Sequence, residues 1–169
     1  MFTVEQLCVS YKNVTALRNA TFHASQGTIT GLIGADGTGK SSLLNAIAGV
    51  IDFHGTVTLD DMIYKTAAQA IPLKRHMALM PQGLGLFLYK SLTIEEHLSF
   101  FEGVRKIAMS DEYIAYKKRL LDMSGLGRFM KRRAGDLSGG MMQKLALICT
   151  MLHRPRLLLL DEPTTGVDP

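Results

Sequence analysis

Apolar and polar positions change their period along this chain, which divides it into a strand-rich beginning and a more helical later part. Short β-prone runs fill the first third, at residues 2–9, 20–24 and 28–33. After them, a glycine-rich loop leads into residues 41–48, where apolar positions have helical spacing up to Gly49. The pattern therefore predicts strands, a loop and a helix, in that order.

Three further segments carry strand signals. Residues 55–64 predict a hairpin that turns at Asp60-Asp61, and residues 77–80 predict a short buried strand that ends at Pro81. The near-continuous apolar run at residues 156–160 is typical of a strand in a parallel sheet that is covered on both faces.

The remaining signal is helical, between residues 93 and 152. Thr93 and Glu96 form a capping box, in which the threonine oxygen accepts from the Glu96 N–H while the glutamate reaches back. A second helix is predicted over residues 111–123, with acidic residues near its positive dipole end. A third begins just after Ser138-Gly139-Gly140 and runs to about residue 152.

Composition places the chain among ordinary globular proteins. Its 169 residues suit one domain with a sizeable core, and 47% are apolar while 20% are charged. The net charge of +4 suits a polyanion such as a nucleotide, and a solvated basic surface explains it equally well. The basic clusters at residues 117–119 and 131–133 lack interleaved aromatics, which argues against a nucleic-acid platform.

Membrane and redox signals are weak. The N-terminus lacks the pattern of a signal peptide, and no apolar run approaches the ~20 residues that a spanning helix needs. Cys8 and Cys149 have no metal-like spacing, which favours buried free thiols in a reducing compartment. We therefore expect a soluble cytoplasmic chain whose membrane role, if it has one, depends on a partner or on polypeptide outside this sequence.

A phosphate-binding loop is the first candidate site. Residues 34–41 fit G-x-x-x-x-G-K-S between a predicted strand and a predicted helix, where backbone N–H groups and the helix dipole hold an anion. Lys40 would reach the β- and γ-phosphates, and Ser41 would bind Mg²⁺. A glycine-rich turn without a ligand is the alternative. The candidate nucleotide-binding residues of this segment are Gly34, Ala35, Asp36, Gly37, Thr38, Gly39, Lys40, Ser41 and Ser42.

Two carboxylates form the second candidate site. Asp161 and Glu162 follow the apolar strand at residues 157–160, at the strand end where open α/β sheets place their ligands. Asp161 would hold Mg²⁺, most simply through water, and Glu162 would orient and deprotonate an attacking water. As an alternative, two adjacent carboxylates can cap a turn or lie on a solvated rim. The presence of the phosphate loop in the same chain argues against this alternative.

The run Leu137-Ser138-Gly139-Gly140-Met141 lies between these two motifs. With them it resembles, over the whole chain, the nucleotide-binding domain of ATP-binding cassette (ABC) ATPases. The resemblance implies an α/β P-loop NTPase core with a mostly parallel sheet, an N-terminal antiparallel β subdomain and a helical signature subdomain at about residues 83–152. It also implies that Ser138, Gly139 and Gly140 cap the γ-phosphate held by a second cassette. Locally, the same residues are also a simple helix N-cap.

Further positions carry over from the family. Gln82 matches the glutamine that contacts Mg²⁺ and the attacking water, and Tyr11 matches the aromatic that stacks on adenine. A tyrosine at the rim of the core is the alternative for Tyr11. Asp168 matches the residue that helps to join two subunits, and residues 84–89 match the surface that docks the membrane subunit, or are ordinary core. ATP and Mg²⁺ are the implied cofactors, with Glu162, Gln82 and Lys40 as catalytic residues.

The chain also departs from the family pattern. Met141 stands where glutamine is usual, and Asp36 where asparagine is common. With Gly-Val-Asp-Pro at residues 166–169, these variants resemble a branch of bacterial exporter ATPases that have ABC-2-type membrane subunits. The family's γ-phosphate histidine follows the Asp168 position, and no histidine occurs after His153. We therefore expect a single nucleotide-binding domain over residues 1–169 that is incomplete at its C-terminus and belongs to a longer protein.

The resemblance predicts an ATPase subunit or cassette that powers export through a transmembrane permease, paired with a second cassette at the cytoplasmic face of the membrane. Alone, the chain is expected to bind nucleotide but to sustain little hydrolysis. The alternative is a soluble ATPase that acts on ribosomes. DNA-repair relatives need a long coiled coil, for which residues 83–136 leave no room. A GTPase or a small-molecule kinase is a further alternative, but neither class accounts for the motif at residues 137–141.

Overall fold

The structure is a computed structural model of the chain, and it describes residues 1–83 and 88–163. The chain divides into two compact units, Met1–Leu79 and Met80–Pro169. The first unit contains the strands β1 (Phe2–Tyr11), β2 (Val14–Ala24), β3 (His54–Leu59) and β4 (Met62–Tyr64), and the helices α1 (Lys40–Ile47) and α2 (Ala67–Ala70). Strand β5 (Met77–Met80) lies at the boundary. The second unit contains the helices α3 (Ile94–Val104), α4 (Asp111–Ser124) and α5 (Gly139–Met151), and the strand β6 (Leu157–Leu160).

An antiparallel sheet with the strand order β2-β1-β3-β4 forms the first unit. Inward-facing residues alternate along β1 up to Val4, and a β-bulge between Val4 and Leu7 shifts the register, so that both residues are fully buried, as is Val57 of β3. The predicted hairpin is confirmed, and Asp60 at its turn adopts a left-handed conformation with φ of 55°. Tyr64 at the end of this hairpin is buried and donates a hydrogen bond to the Ile47 carbonyl, which ties the sheet to α1.

The predicted strand at residues 28–33 is wrong. These residues form no regular secondary structure, and the side chains of Ile29 and Ile33 are 102% and 100% exposed. A strand needs a neighbour for its backbone N–H and C=O groups, and neither sheet of the described residues pairs with this segment. The β-prone composition of this segment favours a strand, but composition carries no information on whether a partner strand is available.

Helices α3, α4 and α5 enclose the core of the second unit, which is built from aliphatic side chains such as Ile94, Leu98 and Leu145. The predicted capping box is confirmed at the start of α3, where Thr93 and Glu96 exchange hydrogen bonds. The predicted second and third helices are confirmed as α4 and α5, within two residues at each end.

Strands β5 and β6 form the second sheet. The N–H of Asp161, directly after β6, donates to the carbonyl of Met80, the last residue of β5, at 2.9 Å. The carboxyl ends of both strands therefore meet, and the two strands run parallel. This pairing places the residues that follow each strand, Pro81 and Gln82 on one side and Asp161 and Glu162 on the other, at one edge of the sheet.

Candidate functional site

The phosphate-binding loop is held together by its own lysine. Lys40 Nζ lies 2.8 Å from the carbonyl oxygen of Gly34 and 2.9 Å from that of Ala35. Thr38 Oγ1 donates to the Ala35 carbonyl at 2.8 Å, and Asp36 is 4.0 Å from Lys40 Nζ. The ammonium group of Lys40 therefore bridges the two ends of the loop. It lies among the backbone groups that would surround a phosphate.

Helix α1 begins without a side-chain cap, unlike the other α-helices of the described residues. Its N-cap is Gly39, with φ of 91° and no side-chain hydrogen bond, whereas Thr93, Ser110 and Ser138 each cap the helix that they precede. A Cβ at Gly39 would lie 2.4 Å from the Ala16 carbonyl, so only glycine fits this turn. The first-turn N–H groups of α1 therefore have no side-chain acceptor at the N-cap, which is the arrangement that suits an external anion.

Tyr11 lies beside this helix. Its hydroxyl is 3.3 Å from Ser42 Oγ, and its side chain is about half exposed at the end of β1. The structure thus brings the predicted adenine-stacking residue next to the phosphate-loop helix, within the first unit. An exposed aromatic ring next to a phosphate site has the amphipathic character that base stacking uses.

The two candidate carboxylates differ in environment. Asp161 is buried, with 6% of its surface exposed, while Glu162 is exposed and adopts a left-handed conformation with φ of 48°. Gln82 Nε2 donates a hydrogen bond of 2.8 Å to Glu162 Oε2. The sequence predicted separate roles for Gln82 and Glu162 but not their contact, since nothing in a single sequence pairs residues this far apart.

The predicted signature serine is a helix N-cap. Ser138 Oγ accepts from the Met141 N–H at 3.3 Å, at the first turn of α5. Ser138 and Gly139 are exposed, and a Cβ at Gly140 would meet no atom within 4 Å. No neighbouring described atom of this chain therefore requires glycine at position 140.

Other predicted residues receive less support. Asp168 and residues 84–87 lie outside the described residues. The Mg²⁺ set proposed from sequence, Ser41, Gln82 and Asp161, draws on both units of the chain, and within the described ranges no cluster of three or more histidine, cysteine or acidic residues forms a metal site. Both cysteines are free, but only Cys149 is fully buried; Cys8 is half-buried.

The sequence patterns did not identify one buried polar residue, which binds backbone groups between Gln82 and α3. His97 is fully buried in α3, its Nε2 accepts from the Tyr89 N–H at 2.9 Å, and its Nδ1 lies 2.8 Å from the Thr93 carbonyl. These partners assign the neutral tautomer with hydrogen on Nδ1. The sequence signal that could have identified His97 is its position next to Leu98, on the apolar face of the helix that Thr93 caps.

Comparison with known proteins decides the family. The family described as "ABC transporter" matches residues 17–165 of the chain, which include the phosphate loop, the signature run and both carboxylates. The chain belongs to the ABC transporter family. Members of this family bind ATP, generally with Mg²⁺, and their cassettes dimerise and pair with transmembrane permeases. The P-loop fold class predicted from the sequence is thereby confirmed.

Curated relatives extend beyond this chain. It is 40% identical over 161 residues to the probable multidrug ABC transporter ATP-binding protein YbhF of Escherichia coli, covering 94% of this chain and 26% of YbhF. It is 33% identical over 161 residues to the ABC transporter ATP-binding protein NatA of Bacillus subtilis, covering 93% of this chain and 63% of NatA. The chain thus spans about a quarter of YbhF and less than two thirds of NatA.

Solved structures show the same cassette fold. An ATP-binding subunit of an ABC transporter superimposes with a TM-score of 0.84 at 30% identity, over 99% of this chain and 68% of that one. The dimeric bacterial ABC transporter cassette MJ0796 superimposes with a TM-score of 0.81 at 25% identity, over 99% of this chain and 76% of that one. Among the described residues of the present chain, no helix is both long enough and apolar enough to cross a bilayer.

Proposed function

We propose that this chain is the ATP-hydrolysing cassette of an exporter and drives transport through a transmembrane partner. The observation that carries the proposal is the hydrogen bond between Gln82 and Glu162 at the end of a parallel strand pair. It joins the candidate general base to the residue that the family resemblance assigns to the attacking water. Family membership and the geometry of the phosphate loop support the same reading.

Nucleotide binding is assigned to the first unit. The backbone N–H groups at the start of α1 would receive the phosphates, and Lys40 would exchange its bonds to Gly34 and Ala35 for phosphate oxygens. The adenine would stack on Tyr11, whose ring is exposed beside α1. Mg²⁺, held by Ser41, Asp161 and Gln82, would supply charge neutralisation for the phosphates. The oxygen donors of this set suit Mg²⁺.

Hydrolysis is assigned to Glu162. Its carboxylate would orient a water and take a proton from it, and the Gln82 amide fixes the direction in which the carboxylate points. Asp161 lies one residue earlier but is buried at the strand end, so its surroundings differ from those of exposed Glu162. The two adjacent carboxylates are therefore suited to different tasks, metal binding and base catalysis.

The signature run is assigned to a second cassette's nucleotide. Ser138, Gly139 and Gly140 lie exposed or half-exposed at the N-terminus of α5, where backbone donors and the helix dipole favour a phosphate. The open space beside Gly140 supports an approach from outside the chain. Asp168 would contribute to the same contact between cassettes.

Export is the direction that the resemblance to the ABC-2-type branch favours. YbhF carries a name that states probable multidrug transport, and the Met141 and Asp36 variants match the ABC-2-type exporter branch. A location at the cytoplasmic face of the membrane, held there by the partner, follows from this assignment. A role on ribosomes has no support from the two curated relatives described above, both of which are named as parts of transporters.

The test uses the full-length protein reconstituted with its membrane partner in lipid vesicles. ATP-dependent movement of a dye of the multidrug class is measured for the wild type and for Glu162→Gln. The proposal is supported if the wild type transports the dye and Glu162→Gln does not. Hydrolysis without transport of any tested compound, together with ATP-sensitive cosedimentation with ribosomes, would favour the ribosomal alternative.

A further inference from the structure

Residues 130–135, which precede the signature run, lie along the N-terminus of α3. The N–H of Ile94 donates to the Arg132 carbonyl at 3.1 Å, and the N–H of Glu95 donates to the Met130 carbonyl at 3.0 Å. The first N–H groups of a helix have no acceptor within the helix itself, so these two bonds satisfy them. The stretch before the signature run is therefore anchored on α3 through its backbone.

Residues 88–93, here called the support segment, hold the same stretch through two further backbone bonds. The N–H of Ala134 donates to the Leu92 carbonyl at 2.8 Å, and the N–H of Gly135 donates to the Lys90 carbonyl at 2.9 Å. Bonds of this length are well within the usual range for N–H and carbonyl groups. The side chain of Ala134 is also buried in the core, which fixes the stretch from a third side.

Gly135 lies too close to the support segment for a larger residue. A Cβ at Gly135 would lie 3.1 Å from the Lys90 carbonyl oxygen and 3.5 Å from Lys90 Cβ. The backbone of Gly135 is not left-handed, so glycine is needed there for space and not for its conformation. An added methyl group would therefore push the two backbones apart by a few tenths of an ångström.

A buried histidine fixes the support segment from its other side. His97 Nε2 accepts from the Tyr89 N–H at 2.9 Å, and His97 Nδ1 lies 2.8 Å from the Thr93 carbonyl. The Leu92 N–H donates to the Tyr89 carbonyl at 3.0 Å, which closes the segment into a turn. Because the imidazole ring binds both ends of this turn, the position of the Lys90 carbonyl depends on His97.

The connection from Gly135 to the signature serine is short. The Leu137 N–H donates to the Ala134 carbonyl at 3.1 Å in a tight turn, and the Leu137 side chain packs against the core of the second unit. Ser138 follows directly and caps α5 through the Met141 N–H. A displacement of Gly135 would therefore pass to Ser138 through a turn that is already bonded and packed.

We propose that Gly135 is a positioning residue for Ser138, and that it acts through the support segment that His97 holds. This inference rests on the proposed function, in which Ser138 contacts the γ-phosphate bound by a second cassette. The close approach of Gly135 to Lys90 sets the position of the signature run relative to α3. Since nucleotide is assigned to the first unit, a displaced Ser138 should slow hydrolysis without weakening the binding of ADP, which has no γ-phosphate.

The test measures ATP hydrolysis and ADP binding separately, in the full-length protein reconstituted with its membrane partner. Gly135→Ala is expected to lower kcat about tenfold, because a small misplacement of a group that contacts the reacting phosphate is costly. The Kd for fluorescent ADP is expected to stay unchanged. Gly127→Ala is the matched control: a Cβ there meets only Leu121 Cβ, at 3.9 Å, so both quantities should equal those of the wild type.

A double variant tests whether Gly135 and His97 act along one route. His97→Asn removes the acceptor of the Tyr89 N–H and is expected to lower kcat about fivefold, the usual effect of one hydrogen bond, with ADP binding unchanged. Because both changes displace the same support segment, the double variant should be no slower than Gly135→Ala alone. Independent effects would instead multiply to about fiftyfold.

Three results would overturn the positioning role. A Gly135→Ala protein with the kcat of the wild type removes it and leaves the proposed function standing. Losses that multiply in the double variant, or ADP affinity that falls together with kcat, would mean a general disturbance of the fold. If Gly135→Ala does not fold, His97→Asn decides alone, and an unchanged kcat in that variant refutes the inference. Absence of hydrolysis in the wild type and in Gly127→Ala would count against the proposed function itself.

Discussion

The side-chain amide of Gln82 donates a hydrogen bond of 2.8 Å to Glu162 Oε2, although the two residues lie 80 positions apart. Their proximity follows from the β5–β6 pair, whose carboxyl ends meet through the bond from Asp161 N–H to the Met80 carbonyl. Glu162 also has a left-handed backbone with φ of 48°, which for a non-glycine residue costs about 1–3 kcal/mol and is typical of functional sites. The carboxylate is thus held in a defined orientation.

This relationship predicts different losses for the two residues. Glu162→Gln should slow hydrolysis by roughly 10²–10⁴ because it removes the base, with ATP binding retained. Gln82→Ala leaves the base in place and removes one hydrogen bond to a charged group, so a smaller loss of about tenfold is expected. Single-turnover hydrolysis and nucleotide binding in the full-length protein measure both. Equal losses for the two variants would contradict a positioning role for Gln82.

Replacement of the loop lysine should act on binding. Lys40→Ala removes the ammonium group that lies 2.8 and 2.9 Å from the loop carbonyls, and ATP affinity should fall by about 1.5–3 kcal/mol. Fluorescent nucleotide titration of the full-length protein measures the change. Lys65→Ala, at an exposed lysine of the same unit, is the control and should bind as the wild type does. Unchanged affinity in Lys40→Ala would exclude the assigned role.

Sequence patterns predicted the local elements well because their signals are local. The capping box at Thr93 and Glu96 and the turn at Asp60 involve residues within one helical turn or one hairpin. The segment at residues 28–33 failed because a strand depends on a distant partner, and the Gln82–Glu162 bond was not predictable for the same reason. The phosphate loop was identified from its spacing alone, since its lysine and carbonyl groups are close neighbours in the chain.

His97 is expected to stabilise the second unit through both ring nitrogens. His97→Phe would keep an aromatic ring but leave the Tyr89 N–H without this partner, at about 1–3 kcal/mol if that group stays buried, while the Thr93 carbonyl still accepts from the backbone N–H of residue 97. His97→Asn can still donate to Thr93 and should be less harmful. Urea unfolding of the full-length protein compares the variants. Equal stability of His97→Phe and the wild type would show that the two bonds contribute little.

Alkaline pH should destabilise the fold through a buried thiol. Burial raises the pKa of Cys149 from 9.0 to about 12, so the unfolded chain ionises this group at a lower pH than the folded chain does. The folded state then binds more protons above pH 9, and stability falls as pH rises through that range. Melting temperatures measured upward from pH 8 test this, and Cys149→Ala should flatten part of the slope. An identical slope in that variant would contradict the assignment. Burial also raises the pKa values of Tyr64, Tyr113 and Tyr116, which are expected to add to the slope in the same direction.

Gly140 offers a test in which stability and activity should move in opposite directions. A Cβ at this position meets nothing within 4 Å, and alanine is a better helix former, so Gly140→Ala should stabilise the unit by a few tenths to about 1 kcal/mol. If the signature run contacts the nucleotide of a second cassette, the added methyl group should still lower ATP-driven dimerisation and hydrolysis. Gly103→Ala in α3 is a matched control, since a Cβ there also meets nothing within 4 Å; it should stabilise without loss of activity. Light scattering with ATP in the Glu162→Gln background measures dimerisation. A Gly140→Ala protein that dimerises and hydrolyses ATP like the Gly103→Ala protein would mean that no partner approaches this corner of α5.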